Sequence, residues 1–235
     1  MQTNYGLVDN VPKLQDMYEN LIELEHDDIL NFEKIKNVGY CIFNTDRSSL
    51  EKEIEKFFRI IPQNKTGITH MPVTPIKGEE NLIHTREEQP LHCDNAHSGI
   101  PPSFICLFCE EKARYGGETV IKEINHRFLT NETMPLFLEE VEYIKGDNSC
   151  KVKVLEEVRG KIYSTYSPFC DFYKLNSKEQ FLALENFHQI LGHAPTLTYK
   201  LNSNEAIILD NRCFLHGRTK FVGNRKMIRL WLEIR

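Results

Sequence analysis

His92 and Asp94 flank Cys93 at alternate positions, and His216 follows 122 residues after Asp94 in the run Asp210-Asn211-Arg212-Cys213-Phe214-Leu215-His216-Gly217-Arg218. Two imidazoles and one carboxylate are the donor set that holds non-haem Fe(II) on one face, leaving the remaining positions open for co-substrate and O2. The i, i+2 spacing is what a strand edge supplies, because alternate side chains point the same way. Cys93, between them, is turned away from that face. An isolated His-x-Asp occurs by chance in many chains, so its meaning depends on what surrounds it.

The elements that must carry these residues are mostly short strands. From Leu91 onward β-prone runs alternate with turns, at 104–109, 119–122, 141–145, 151–155, 161–166, 197–201 and 205–210. That rhythm suggests an antiparallel jelly roll rather than a βαβ sheet. The last run is the clearest strand: Ile228, Leu230, Leu232 and Ile234 take one face, and Arg225, Met227, Arg229 and Trp231 the other. The first face packs on a core. The second, with two guanidiniums beside an indole, fits equally a pocket wall or a solvated edge strand with snorkelling arginines.

Helices are expected at three places. Pro12 to about Asn31 carries an apolar stripe of Leu14, Met17, Tyr18, Leu21, Ile22 and Leu24. Ser48 and Glu51 form a capping box that opens a helix through about Ile60, after a short strand over Gly39–Phe43. Ser177 and Gln180 form another, with Leu184, Phe187 and Leu191 buried before Gly192 stops the helix. Residues 63–90 hold turn-formers and little periodicity, which makes them a candidate lid over the His92–Asp94 motif. The fold class that follows is mainly β with flanking helices, a double-stranded β-helix in one domain over 1–235 with a helical flank over 1–60.

The motifs resemble those of the TauD/TfdA-like, clavaminate-synthase-like Fe(II)/2-oxoglutarate dioxygenases. Leu91-His92-Cys93-Asp94 is followed by Pro101-Pro102, an apolar run over 104–109, and Gly116-Gly117-Glu118-Thr119, similar to the family's GG[ED]T. Thr119 lies 27 positions after His92, as does the family's co-substrate-binding threonine. Leu209-Asp210-Asn211, His216-Gly217-Arg218-Thr219 and the trailing Arg225 and Arg229 are similar to its C-terminal segment, and the resemblance runs from about Gly39 to the end. It implies His92, Asp94 and His216 as metal ligands and catalytic centre, Fe(II) as cofactor, and 2-oxoglutarate and O2 as co-substrates. Arg225 would hold the distal carboxylate of 2-oxoglutarate through its planar fork, with Thr119 donating a hydrogen bond. Asn95 and His97 fall where the family's chain crosses the substrate pocket. Arg229, about 13 Å along the strand from Arg225 at ~3.3 Å per residue, would take a carboxylate of the primary substrate, brace the co-substrate site or pair with an acidic neighbour. Because Asp94 is kept where halogenating relatives carry a small residue, hydroxylation or desaturation is implied. The substrate is expected to be a small carboxylate-bearing amine or amino acid, free or carrier-bound.

Composition narrows the alternatives. With 40% hydrophobic and 27% charged residues, the chain is ordinary for a globular protein, and a net charge of −5 gives no case for nucleic acid. The N-terminus lacks the regions of a signal peptide, and no stretch approaches a membrane span, so a cytoplasmic protein without membrane partners is expected. The 7 cysteines lack framework spacing and point to reduced thiols. Cys106 and Cys109 spell CxxC within a strand, should face opposite sides, and are expected to pack rather than bind metal. His84, His126, His188 and His193 are given no role, and Arg218 remains open to a structural one. Two other readings keep the ligands: a non-catalytic metal-binding or sensor jelly roll, and a zinc hydrolase. The first needs neither Thr119 nor Arg225, and the second lacks an evident general base.

Overall fold

The computed structural model describes residues 4–5, 21–23, 26–63, 67–79, 81–169 and 172–235. Two sheets face each other. The larger has the order Tyr40–Asn44, Glu205–Asp210, Phe104–Glu111, Lys226–Ile234 and Phe58–Ile61, with Met71–Val73 also pairing on Lys226–Ile234. The smaller has the order Leu21–Glu23, Thr196–Tyr199, Thr119–Glu123, Phe214–Arg218 and Gln89–His92. Pairing is antiparallel except at Leu21–Glu23, which runs parallel to Thr196–Tyr199. This is the expected double-stranded β-helix.

Alternation along each strand divides the core into layers. Ile42, Ile105, Ile121, Ile207, Leu209, Phe214 and Trp231 form the cluster shared by the two sheets. The other face of the larger sheet, with Cys106, Phe108, Ile208, Leu230 and Leu232, packs on Ile35, Leu50 and Ile54 of two short helices. Leu91, Cys93, Val120 and Leu215 of the smaller sheet pack on Ala183, Leu184, Phe187 and Leu191 of the helix Lys178–His193. Each such aliphatic side chain contributes about 1.5–3 kcal/mol on burial. A one-residue register slip would turn a whole row outward, so the packing fixes the pairing. That fixed pairing sets His216 directly opposite His92.

The last strand divides its faces as expected, with Ile228, Leu230 and Leu232 in one layer and Met227 and Trp231 in the other. Cys106 and Cys109 fall in different layers, both buried, as opposite-facing positions require. Ser177 accepts from the Gln180 amide at 3.1 Å and opens the long helix. The Gln180 side chain returns to the Asn176 amide, one residue before the cap, and the helix continues through Gly192 to His193.

Two helix expectations are corrected. The stripe expected from Pro12 lies largely outside the described residues, and within it Leu21–Glu23 is a strand. The helix expected from Ser48 to about Ile60 spans only Leu50–Ile54, and Phe58–Ile61 seals the sheet edge beside Lys226–Ile234. Asp46, not Ser48, organises its start, accepting from the Ser48 and Ser49 amides at 2.8 and 3.0 Å. The strand over 151–155 is divided between Asn148–Val152 and Leu155–Val158. Among the described residues, no helix is long and apolar enough to cross a membrane.

Candidate active site

Two of the smaller sheet's strands build the centre. His92 ends the strand Gln89–His92, Asp94 follows it, and His216 sits within Phe214–Arg218. The two strands approach closely enough that a Cβ on Gly217 would lie 2.6 Å from the Gln89 carbonyl oxygen. Glycine is therefore what lets His216 reach His92. All three side chains are buried, and one ligand atom from each lies within 4.8 Å of the others. Asp94 Oδ1 stands 3.4 Å from His92 Nε2 and 3.8 Å from His216 Nε2.

The protonation pattern suits a cation. His92 Nδ1 lies 2.9 Å from the Pro90 carbonyl oxygen, which can only accept, so Nδ1 carries the proton and Nε2 faces the centre with its lone pair. Burial drives His216 well below the usual imidazole range, and the neighbouring His92 pushes the same way. Burial alone would raise Asp94, but the Arg229 guanidinium holds it well below the usual carboxylate range. Two imidazoles and one carboxylate thus converge in a buried setting. These residues fit a divalent ion of the Fe(II) type.

Asp94 is held from several sides. Its main chain is pinned by Asn211, whose Oδ1 accepts from the Asp94 amide at 2.8 Å and whose Nδ2 donates to the Asp94 carbonyl at 3.2 Å. Its carboxylate accepts from Arg229 Nη1 on Oδ1 and Trp231 Nε1 on Oδ2, each at 2.9 Å. Gln63 in turn accepts from Arg229 Nε at 3.0 Å and donates to the Arg229 carbonyl. The roles of Asn211, Trp231 and Gln63 in this network are not assigned by the sequence reading. Only the Asp210-Asn211 pair beside the distal histidine could have signalled the first.

Two cavities meet at the centre. The larger, about 760 Å³, is lined by His92 and Asp94 with Asn95, His97, Lys145 and Phe169, among others. Phe169 stacks edge-on against His92 at 4.6 Å between ring centroids. Burial, then Lys145, lowers the His97 pKa. The smaller, about 30 Å³, adjoins His92 and His216 and is lined by Thr119, Arg225 and Leu107. Thr119 Oγ1 is buried there with no hydrogen-bond partner. Arg225 is also buried, which lowers its pKa to about 10 and leaves it charged at neutral pH. Among the described residues no carboxylate forms an ion pair with it. A Cβ on Gly117 (φ 76°) would press at 3.2 Å on Arg225 Cδ. An orphan hydroxyl and an unpaired buried guanidinium in one small cavity are groups that could receive an anion.

The expected site residues are thus grouped as follows: His92, Asp94 and His216 converge, Thr119 and Arg225 share the inner cavity, and Asn95 and His97 line the outer one. Arg229 borders both cavities, with its guanidinium bonded to Asp94 and Gln63. Cys93 packs its side chain in the core behind the sheet. Arg218 is structural: Nη2 donates to the carbonyls of Leu82, Thr85 and Glu87, tying the segment over 82–87 to the sheet. The candidate lid over 63–90, of which that segment is a part, contributes Gln63, Asn81, Leu82, Ile83 and Gln89 to the outer cavity wall.

Residues 136–231 match the model of the taurine catabolism dioxygenase TauD, TfdA family, a span that includes His216, Arg225 and Arg229. No curated protein sequence matches the chain. Among solved structures, an asparagine oxygenase in complex with Fe(II), 3-hydroxyasparagine and succinate is similar with a TM-score of 0.71 at 17% identity, over 85% of this chain and 76% of that one. The non-haem iron oxygenase OrfP with Fe and α-ketoglutaric acid gives 0.69 at 13% identity, over 85% and 76%. PvcB from Pseudomonas aeruginosa gives 0.62 at 18% identity, over 90% and 84%. The match to the TauD, TfdA family model is confined to residues 136–231, and what the chain shares with these structures is the fold, a double-stranded β-helix.

Proposed function

We propose that the chain is an Fe(II)- and 2-oxoglutarate-dependent oxygenase that hydroxylates or desaturates a small, carboxylate-bearing amino-acid-type substrate, free or carrier-bound. One observation carries the reading: three convergent groups that could bind a metal stand at the junction of a small cavity that could receive an anion and a larger cavity. A metal holder without turnover needs the first of these features and not the other two. The bound ion would supply O2 activation coupled to oxidative decarboxylation of 2-oxoglutarate to succinate and CO2.

The chain's own residues do the positioning. His92, Asp94 and His216 would hold the ion. Arg225 would take the distal carboxylate of 2-oxoglutarate by a charge-assisted fork, with Thr119 Oγ1 donating to the same group. Leu107 and Met227, which line that inner cavity, exclude water around the co-substrate. The primary substrate would occupy the outer cavity, with Asn95 and His97 on its wall and Lys145 beyond. Amino-acid recognition is supported by the relatives, since the asparagine oxygenase holds 3-hydroxyasparagine and OrfP holds 3-hydroxyarginine.

Arg229 has two roles open to it, a substrate carboxylate or the bracing of Asp94. Its bonds to Asp94 and Gln63 favour bracing. Succinate formation over a panel of free and carrier-bound amino acids tests the substrate class. A productive substrate without a carboxylate or its carrier ester would refute it. In the same assay Arg229→Ala separates the roles: loss of substrate stimulation alone marks a substrate contact, and loss of substrate-independent decarboxylation as well marks bracing.

A further inference from the structure

An octahedral ion that must take a bidentate co-substrate and O2 can spare three positions for protein, so the carboxylate ligand has to bind through one oxygen. A free carboxylate can rotate and chelate through both, and a chelating Asp94 would close one of the positions the reaction needs. We infer that Trp231 prevents this: its indole N–H holds Asp94 Oδ2 and makes Asp94 a one-oxygen ligand. The indole is a positioning residue, acting through Asp94.

The geometry assigns the oxygens separately. Oδ1 faces both imidazoles, at 3.4 Å from His92 Nε2 and 3.8 Å from His216 Nε2. Oδ2 is the atom bonded to Trp231 Nε1, at 2.9 Å. Arg229 Nη1 also donates to Oδ1, which has two lone pairs and so keeps one for an ion. Trp231 and Arg229 stand two positions apart on one face of Lys226–Ile234 and grip the two oxygens from the same side. The guanidinium lies 5.6 Å from the indole ring, so each side chain limits the other's rotation. Trp231 is itself fixed in the core shared by the sheets, with Ile61 opposite it on the edge strand. An indole held this firmly cannot follow a rotating carboxylate, and rotation would leave its N–H buried and unpaired.

The plainer view is that a buried indole simply found an acceptor. Trp231→Phe distinguishes the two, because it keeps an aromatic ring in the layer and removes only the donor. With Oδ2 released to chelate, one of the positions 2-oxoglutarate needs would be taken, so anaerobic calorimetry should show its affinity for the Fe(II)-loaded protein weakened about 10–100-fold while Fe(II) itself stays bound. Affinity of the Fe(II)-loaded variant for 2-oxoglutarate equal to that of the unaltered protein, whatever happens to thermal stability, would overturn the inference. The unaltered protein offers a second reading, because Trp231 is its sole tryptophan. Zn(II), which has no quenching d–d transitions, should shift the indole emission to shorter wavelength and saturate at one equivalent, as the ion withdraws charge from the carboxylate on the N–H. Zn(II) bound by calorimetry with unmoved emission would also overturn it. If neither ion bound the unaltered protein, the reading of the three ligands would fail first.

Discussion

At the scale of single residues, the proposed site separates groups that would hold the ion from groups that would only support it. Replacing His92 or His216 by alanine should abolish metal binding and turnover with little loss of fold, because both face the cavity rather than a packed layer. Near-normal metal affinity in either variant, measured by anaerobic titration, would remove it from the ligand set. Cys93→Ser should keep the metal, because that side chain packs in the core behind the sheet. Arg225→Ala should weaken 2-oxoglutarate binding by about 2–5 kcal/mol, the range for breaking one side of a desolvated charge pair, with Arg225→Lys rescuing only part of it. An unchanged dissociation constant for 2-oxoglutarate would assign the anion elsewhere. The convergence of His92, Asp94 and His216, and of Thr119 with Arg225, was legible because their types and spacing carry chemistry. Gln63 and Trp231 were not, since a glutamine before a loop and a tryptophan in a final strand have many uses. Their contacts with Arg229 and Asp94 span 166 and 137 residues of sequence.

At the scale of elements, register and close approach decide whether those residues meet. Gly217→Ala would set a methyl against the Gln89 carbonyl, 2.6 Å from its Cβ, and backbone cannot swing aside as a side chain can. The strands bearing His92 and His216 should move apart, costing about 1–3 kcal/mol in stability and, with it, metal affinity. A variant of undiminished affinity would show that the sheet tolerates the spread. The helix Lys178–His193 makes a different test through Lys122, buried in the neighbouring strand and donating from Nζ to the Leu191 carbonyl. Burial lowers its pKa to about 8 from 10.5. Between those values the unfolded chain binds the extra proton, so this group's penalty on folding is full below about pH 8 and fades as pH rises toward 10.5. The thermal midpoint of the protein relative to Lys122→Met should therefore rise over that window, and a constant difference would contradict the assignment. Strands with strict alternation, above all Lys226–Ile234, were readable from sequence. The helix expected to run to Ile60 was not, because Phe58–Ile61 has a sheet edge to cover and that edge belongs to the distant C-terminal strand.

At the scale of the whole molecule, two facing sheets put the centre where the smaller sheet meets the last strand of the larger. That junction separates an inner cavity from an outer one of about 760 Å³. The fold class was legible because jelly-roll strands repeat a short rhythm, whereas the cavities arise from pairings that no local pattern reveals. The central claim is that His92, Asp94 and His216 hold Fe(II) beside a 2-oxoglutarate site formed by Thr119 and Arg225. The most direct measurement is the absorption spectrum after anaerobic addition of Fe(II) and then 2-oxoglutarate. The account predicts a metal-to-ligand charge-transfer band from the chelate, saturating at one equivalent and lost in the alanine variant of any of the three ligands. Fe(II) bound tightly by the unaltered protein, with no such band on adding 2-oxoglutarate, would contradict it.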